Sequence, residues 1–216
     1  MKALGLLEVF SFTAAVTVAD ICAKSGGVKV IAFDRNRPKS SKAPAPLVMV
    51  VKIEGDVADV RAAIEAGVQY AKEQGKYLVH HIIARPGESV EKMGYLMDIN
   101  KDKFNKVLPK TFLGVKDIAL PKSACIGLLE VDGLVASIVG LDAMVKAANV
   151  RLIHTEKRLG GCLVTLIVTG KVDAVTAALE AGVKSANPVG KVYNYNVIPR
   201  LHEEVGKFFD FTEAER

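Results

Sequence analysis

The chain repeats itself, and that repeat constrains its fold more than any single motif. Gly5-Leu6-Leu7-Glu8-Val9 recurs as Gly127-Leu128-Leu129-Glu130-Val131, 122 positions later. At the same offset Asp20 meets Asp142, Lys24 meets Lys146 and Val28 meets Val150. Further along the offset is 115: Ile64-Glu65-Ala66-Gly67-Val68 matches Leu179-Glu180-Ala181-Gly182-Val183, Gly75-Lys76 matches Gly190-Lys191, and Arg85 matches Arg200. An ordered series of matches with one change of offset is a duplication. The fall from 122 to 115 puts seven extra residues in the first copy, between Phe33 and Leu47. A chain of 216 residues then holds two small domains of about 100 residues each.

Each copy reads as the same string of elements. Residues 2–10 are an apolar run rich in Leu and Val, expected as a strand buried on both faces. Thr13 to Lys24 has helical spacing and meets Gly26-Gly27, a helix stop. Val28 to Phe33 alternates as a strand does, and a Pro-rich polar loop follows. Leu47 to Ile53 is another apolar strand, with Asp56 at the N-cap position of a helix over Val57–Glu73. Gly75 closes that helix, and Lys76 to Ile83 makes the last strand. The result is α+β, a tandem β-α-β-β-α-β duplication in which helices pack on antiparallel sheets. The second copy runs from Ala124 to Pro199, and short helices are expected at 89–97 and 202–209. The expected division is a first domain over 1–98, a polar linker over 99–123 and a second domain over 124–216.

Composition excludes several functions. Half the residues are apolar and a quarter charged, enough to bury a core. A net charge of +5 is spread along the chain without an aromatic-interleaved basic stripe, so no nucleic-acid partner is expected. No run approaches 18 apolar residues and the N-terminus lacks a cleavage site, so neither a membrane span nor export is expected. Cys22, Cys125 and Cys162 are an odd number without CxxC spacing, pointing to a reducing cytoplasm rather than a disulfide frame. No phosphate-cradling glycine loop, nucleophile elbow or HExxH occurs. His80 and His81 adjoin in a strand and therefore point to opposite faces, while His154 and His202 stand alone. Nucleophile, base and orienting group do not converge, and no enzyme is expected.

At GLLEV, DAMVKAANV, the glycine-rich loop before LVTLIVTG, and VIPR, the second copy resembles a bacterial microcompartment (BMC) shell domain. The first copy echoes it in ALGLLEV, DICAKSGG and IIARP. Two such domains in one chain are similar to the tandem shell proteins of the trimer-forming class, with ferredoxin-like units in unpermuted order, like the propanediol-utilisation tandem protein. The resemblance implies a structural shell protein: a homotrimer, pseudo-hexameric in outline, with a central pore and with other shell proteins (hexamers and pentamers) at its edges. In this family the loop between the second and third strands lines the pore.

That loop corresponds here to Asp34–Pro46 in the first copy, the longer one, and to Lys157-Arg158-Leu159-Gly160-Gly161-Cys162 in the second. Pro38, Lys39, Ser40, Ser41, Lys42, Ala45 and Pro46 are the pore candidates of the first copy. Lys157, Arg158, Gly160, Gly161 and Cys162 are those of the second. With Arg35 and Arg37 the two loops carry a positive excess, offset in part by Asp34 and Glu156. Repeated about an axis, that charge favours small anionic metabolites. Cys162 is the one metal candidate: threefold symmetry would gather three thiols, a soft set suited to an iron–sulfur cluster that could pass electrons. In the propanediol-utilisation class that cysteine belongs to the first copy, whereas here only the second loop has one; packing beside Gly161 is the competing reading. No other cofactor is expected. Lys24, Lys146, Arg85 and Arg200 match the family's tile-edge contacts, with Asp20 and Asp142 placed to order the lysines.

Two other readings compete. A small-ligand-binding or signalling trimer of ferredoxin-like units would hold a ligand between subunits and form no sheets. An enzyme with an interfacial site using His80, His81 or His154 would show saturable turnover.

Overall fold

The computed structural model describes residues 2–38, 43, 45–87, 90, 98–99, 124–156 and 162–209. In the first copy β1 (Ala3–Phe10) leads into α1 (Phe12–Ser25), β2 (Lys29–Asn36), β3 (Val48–Gly55), α2 (Val57–Glu73) and β4 (Tyr77–Ile83). The second copy repeats this as β5 (Ile126–Asp132), α3 (Leu134–Ala147), β6 (Val150–Glu156), β7 (Leu163–Gly170), α4 (Val172–Ala186) and β8 (Val192–Ile198), followed by α5 (Glu203–Gly206). The strands form two antiparallel four-stranded sheets, in the orders β2-β3-β1-β4 and β6-β7-β5-β8. The α+β duplication read from the sequence is therefore what the chain adopts. Even the irregularities repeat. The β1–β4 register shifts between Glu8 and Val9, and β5–β8 between Glu130 and Val131. The chain divides into two compact units, Met1–Leu108 and Pro109–Arg216.

Both glycines of the repeated motifs are packing requirements. A Cβ on Gly5 would stand 2.8 Å from Ile53 Cγ1 and 2.9 Å from Val60 Cγ1, where α2 lies on the sheet; at Gly127 it would meet Val175 Cγ1 at 2.6 Å. On the helix side of β1, Leu7 and Val9 are fully buried, and Leu129 and Val131 repeat this on β5. The other face differs between copies. Leu6, Glu8 and Phe10 are half-buried, whereas Leu128 and Glu130 are fully covered. Burial on both faces thus holds for β5 and only partly for β1.

Several local expectations are revised. Strand β2 runs past Phe33 to Asn36, pairing Asp34 with Val50 and Asn36 with Val48, so Asp34 and Arg35 belong to the strand and not to the loop. Asp56 occupies the N-cap position of α2 without a side-chain capping bond. Helix α1 does end at Gly26, but with an extended backbone at φ −162°. That glycine is needed because a Cβ would come 2.7 Å from the Asp59 carbonyl oxygen. Gly75 closes α2 in the left-handed conformation at φ +62°, as a C-terminal glycine does. The final helix is a single turn, Glu203–Gly206, inside the expected 202–209. Cys125 precedes β5 by one residue. The expected helix at 89–97, apart from Val90, and the expected linker, apart from Ile99, lie outside the described residues; Ile99 N donates to Phe33 O at 2.8 Å.

Candidate functional site

In each unit the β2–β3-type loop ends at the corner where the first strand turns into the first helix. Ser11 N donates to Leu47 O at 3.3 Å, and its twin, Gly133 N, donates to Cys162 O at 2.9 Å. Both corner residues hold positive φ, +93° at Ser11 and +88° at Gly133. The Ser11 hydroxyl also accepts from Ala14 N at 3.3 Å, capping α1. The loop is thereby fixed at the N-terminal end of a 14-residue helix whose other end lies about 21 Å away.

At that far end stand the candidate edge residues. Lys24 and Lys146 lie in the last turns of α1 and α3. Lys24 pairs with Asp20 at 2.5 Å and Lys146 with Asp142 at 2.6 Å, so both aspartates hold their lysines in the same i,i+4 geometry. The two pairs differ in setting: Asp20 is buried, whereas Asp142 is exposed. Arg85 and Arg200 are exposed and follow β4 and β8 by two residues, beside the start of the first strand of each unit, since Leu4 pairs with Ile83 and Ile126 with Ile198. Each unit therefore has a loop end and an edge end, on opposite sides.

Of the first loop, Pro38 is half-buried, Pro46 half-buried and Ala45 buried, its side chain turned into the unit. Lys39, Ser40, Ser41 and Lys42 lie outside the described residues, as do Lys157, Arg158, Gly160 and Gly161. Arg35 and Arg37 are exposed. Cys162 is exposed, with φ +65°. Among the described residues no group of three His, Cys, Asp or Glu side chains could hold a metal within one chain. A cluster at Cys162 would need three chains, each giving one thiolate.

The carboxylates expected to offset the loop charge are engaged elsewhere. Asp34 faces Lys52 on β3 at 3.8 Å, and burial pushes its carboxyl up, opposed by Lys52 and the Arg35 backbone. Glu156 is buried, with Oε2 3.4 Å from His154 Nε2, and the His154 ring lies 6.1 Å from that of Phe209. Together with Glu130 and Thr165, which pair across β5–β7 while Glu156 pairs with Thr165, they form a buried polar row across the second sheet. In the sequence His154 stands alone; its alternation with Glu156 on one strand is the signal that places both on one face. Of the other histidines, His80 Nδ1 lies 3.0 Å from the Tyr77 hydroxyl on exposed β4, and His202 Nδ1 accepts from Glu204 N at 3.2 Å.

The profile of the family described as "BMC domain" matches residues 3–86 and 125–201, covering both units. The carboxysome assembly protein CcmO of Synechococcus elongatus is 34% identical over 202 residues, which cover 92% of this chain and 65% of that protein. CcmO of Synechocystis sp. is 30% identical over 208 residues, 94% of this chain and 63% of that protein. The chain thus spans slightly less than two thirds of these relatives. The bacterial microcompartment shell protein PduA of Citrobacter freundii is 51% identical over 82 residues, 38% of this chain and 87% of that protein. A solved microcompartment protein from Desulfitobacterium hafniense aligns over 96% of this chain at 23% identity and a TM-score of 0.38. Among the described residues no helix is long and apolar enough to cross a membrane.

Proposed function

The chain belongs to the BMC-domain family as a tandem-domain bacterial microcompartment shell protein, and from that premise we propose that it is a non-enzymatic tile of the shell, placed in the cytoplasm of its cell. Three copies form a pseudo-hexameric ring of unpermuted tandem units. Their β2–β3 and β6–β7 loops surround a pore for small anionic metabolites, and their edges meet other shell proteins. The observation that carries this reading is the separation of roles within each unit: the loop is tied to the first corner of its helix, and Lys24 or Lys146 ends that same helix on the far side. A ring built from such units puts loops inward and lysines outward. Arg35 and Arg37, exposed beside the first loop, favour anions there.

Native mass spectrometry of protein purified without oxygen tests the proposal. A trimer of the 23.1 kDa chain is expected. Iron and sulfide mass on that trimer would make Cys162 a cluster ligand, and a clean apo-trimer would leave it an exposed thiol without that role. A monomer or dimer would end the pore reading and favour the ligand-binding alternative.

A further inference from the structure

The duplication gives each buried charge an internal twin, and one ion pair changes its chemistry between the copies. On the sheet face turned away from the helices, the first unit sets a carboxylate, Asp34, 3.8 Å from the ammonium of Lys52. The second unit keeps the carboxylate as Glu156, but Ile167 stands where Lys52 does, and His154 stands where Ala32 does. Ala32 is the cross-strand partner of Lys52, and His154 that of Ile167, so the cation has moved from the inner strand to the edge strand. Its Nε2 lies 3.4 Å from Glu156 Oε2. A lysine stays charged at physiological pH, whereas an imidazole gains or loses its proton between about pH 5 and pH 8.

The second pair is also the more enclosed. The side chains of His154 and Glu156 are 3 and 1% exposed, against 8 and 18% for Lys52 and Asp34. The segment after β8 returns to this face: Leu201, Val205 and Phe209 are buried, Leu201 N donates to Ala124 O at 2.9 Å, and the Phe209 ring reaches to 6.1 Å from that of His154. Among the described residues around His154, Glu156 shares its strand, Thr165 and Ile167 on β7 are uncharged, and fully buried Glu130 on β5 lies beyond Thr165. The returning segment carries His202, Glu203, Glu204 and Lys207. Lys207 pairs with Glu204 at 2.6 Å, and His202 Nδ1 caps α5 by accepting from Glu204 N.

We infer that His154 is a proton-operated latch: protonated, it holds residues 201–209 against the second sheet, and neutral, it lets them loosen. The imidazolium offsets the buried Glu156 carboxylate. A neutral imidazole still donates a hydrogen bond but leaves that charge to be met by water, which enters only where the cover lifts. The first unit, with lysine in the same role, is the built-in control. The latch rests on neither the trimer nor the pore.

Hydrogen–deuterium exchange of the wild-type chain tests it. Backbone protection of residues 203–209, corrected for the intrinsic pH dependence of exchange, should fall about tenfold between about pH 5.5 and pH 8.5, with α2 as an unchanged reference. Exchange of the histidine ring C2 hydrogens, read peptide by peptide in the same samples, should place the ionisation of His154 at the midpoint of that fall. His202 predicts the opposite sign, because protonating it removes the acceptor that caps α5. Protection that stays constant, rises with pH, or changes away from the ionisation of His154 would overturn the latch. Transplanting the arrangement of the first unit, His154→Ala with Ile167→Lys, should make protection independent of pH over this range. A wild-type response persisting in that variant would equally overturn the latch, and the wild-type comparison decides by itself should the variant not fold.

Discussion

The three cysteines share a chemistry that their surroundings divide. Cys22 donates its thiol to Ala63 O at 3.2 Å, and burial pushes its pKa up to about 12. Burial also raises that of Cys125, whereas Cys162 is exposed. A maleimide at pH 8 should therefore modify one thiol per chain in the folded protein, at Cys162, because the thiolate is the reactive form and access limits it. Peptide mapping that finds Cys22 or Cys125 labelled before unfolding would contradict this. The Cys22 shift also has a pH consequence. Its folded pKa lies above the unfolded value near 9, so its stabilising contribution is complete below pH 9 and is lost as pH rises toward about 12. The melting temperature should fall across that window, and fall less steeply in Cys22→Ala. Gly127 is constrained by space alone. A methyl group there meets Val175 Cγ1 at 2.6 Å, a side chain too short to swing away, so Gly127→Ala should cost about 1–3 kcal/mol in urea unfolding.

At the scale of elements, the corner between first strand and first helix is where the two copies solve one problem with different residues. Ser11 holds φ +93° and ψ 136°, a region that suits glycine, and its twin is Gly133 at φ +88° and ψ 145°. Strain of this kind costs about 1–3 kcal/mol. Replacing a capping serine by glycine loses only a few tenths of a kcal/mol, and the added chain entropy of glycine about 0.5–1 kcal/mol. Ser11→Gly should thus be neutral or stabilising, by up to about 2 kcal/mol; a clear loss would mean the bonds of the hydroxyl outweigh the strain. This corner also shows what the sequence made legible. Among the described residues, hydrophobic periodicity and the repeat located every strand and the four long helices, because burial on a face forces a period. Conformation at Ser11, the absence of a capping bond at Asp56 and the three extra residues of β2 were not legible, since each depends on contacts made by distant parts of the unit. The loop-end and edge-end candidates were found through family resemblance. The buried row of Glu130, His154, Glu156 and Thr165 was missed because a strand was expected to cover apolar residues on both faces.

At the scale of the whole molecule, a tile must hold its neighbours by contacts that leave its own assembly intact, and the two candidate edge lysines are unequally suited to testing this. Lys24 leans on a buried carboxylate: the Asp20 side chain is 5% exposed against 57% for Asp142. Lys24→Asp would set a second negative charge four residues from a buried one, so it should lower the melting temperature and confuse folding with assembly. Lys146→Asp places its charge in water beside an exposed partner, where the cost is a few tenths of a kcal/mol. That variant should remain folded and keep the oligomeric state of the wild type by native mass spectrometry. Negative-stain microscopy should show extended sheets from the wild type and none from the variant, because the proposed trimeric tile would carry the reversed charge at three of its six edges. Sheets of normal extent from Lys146→Asp would remove the edge role from this lysine. Loss of the trimer together with the sheets would instead assign the lysine to contacts within the ring.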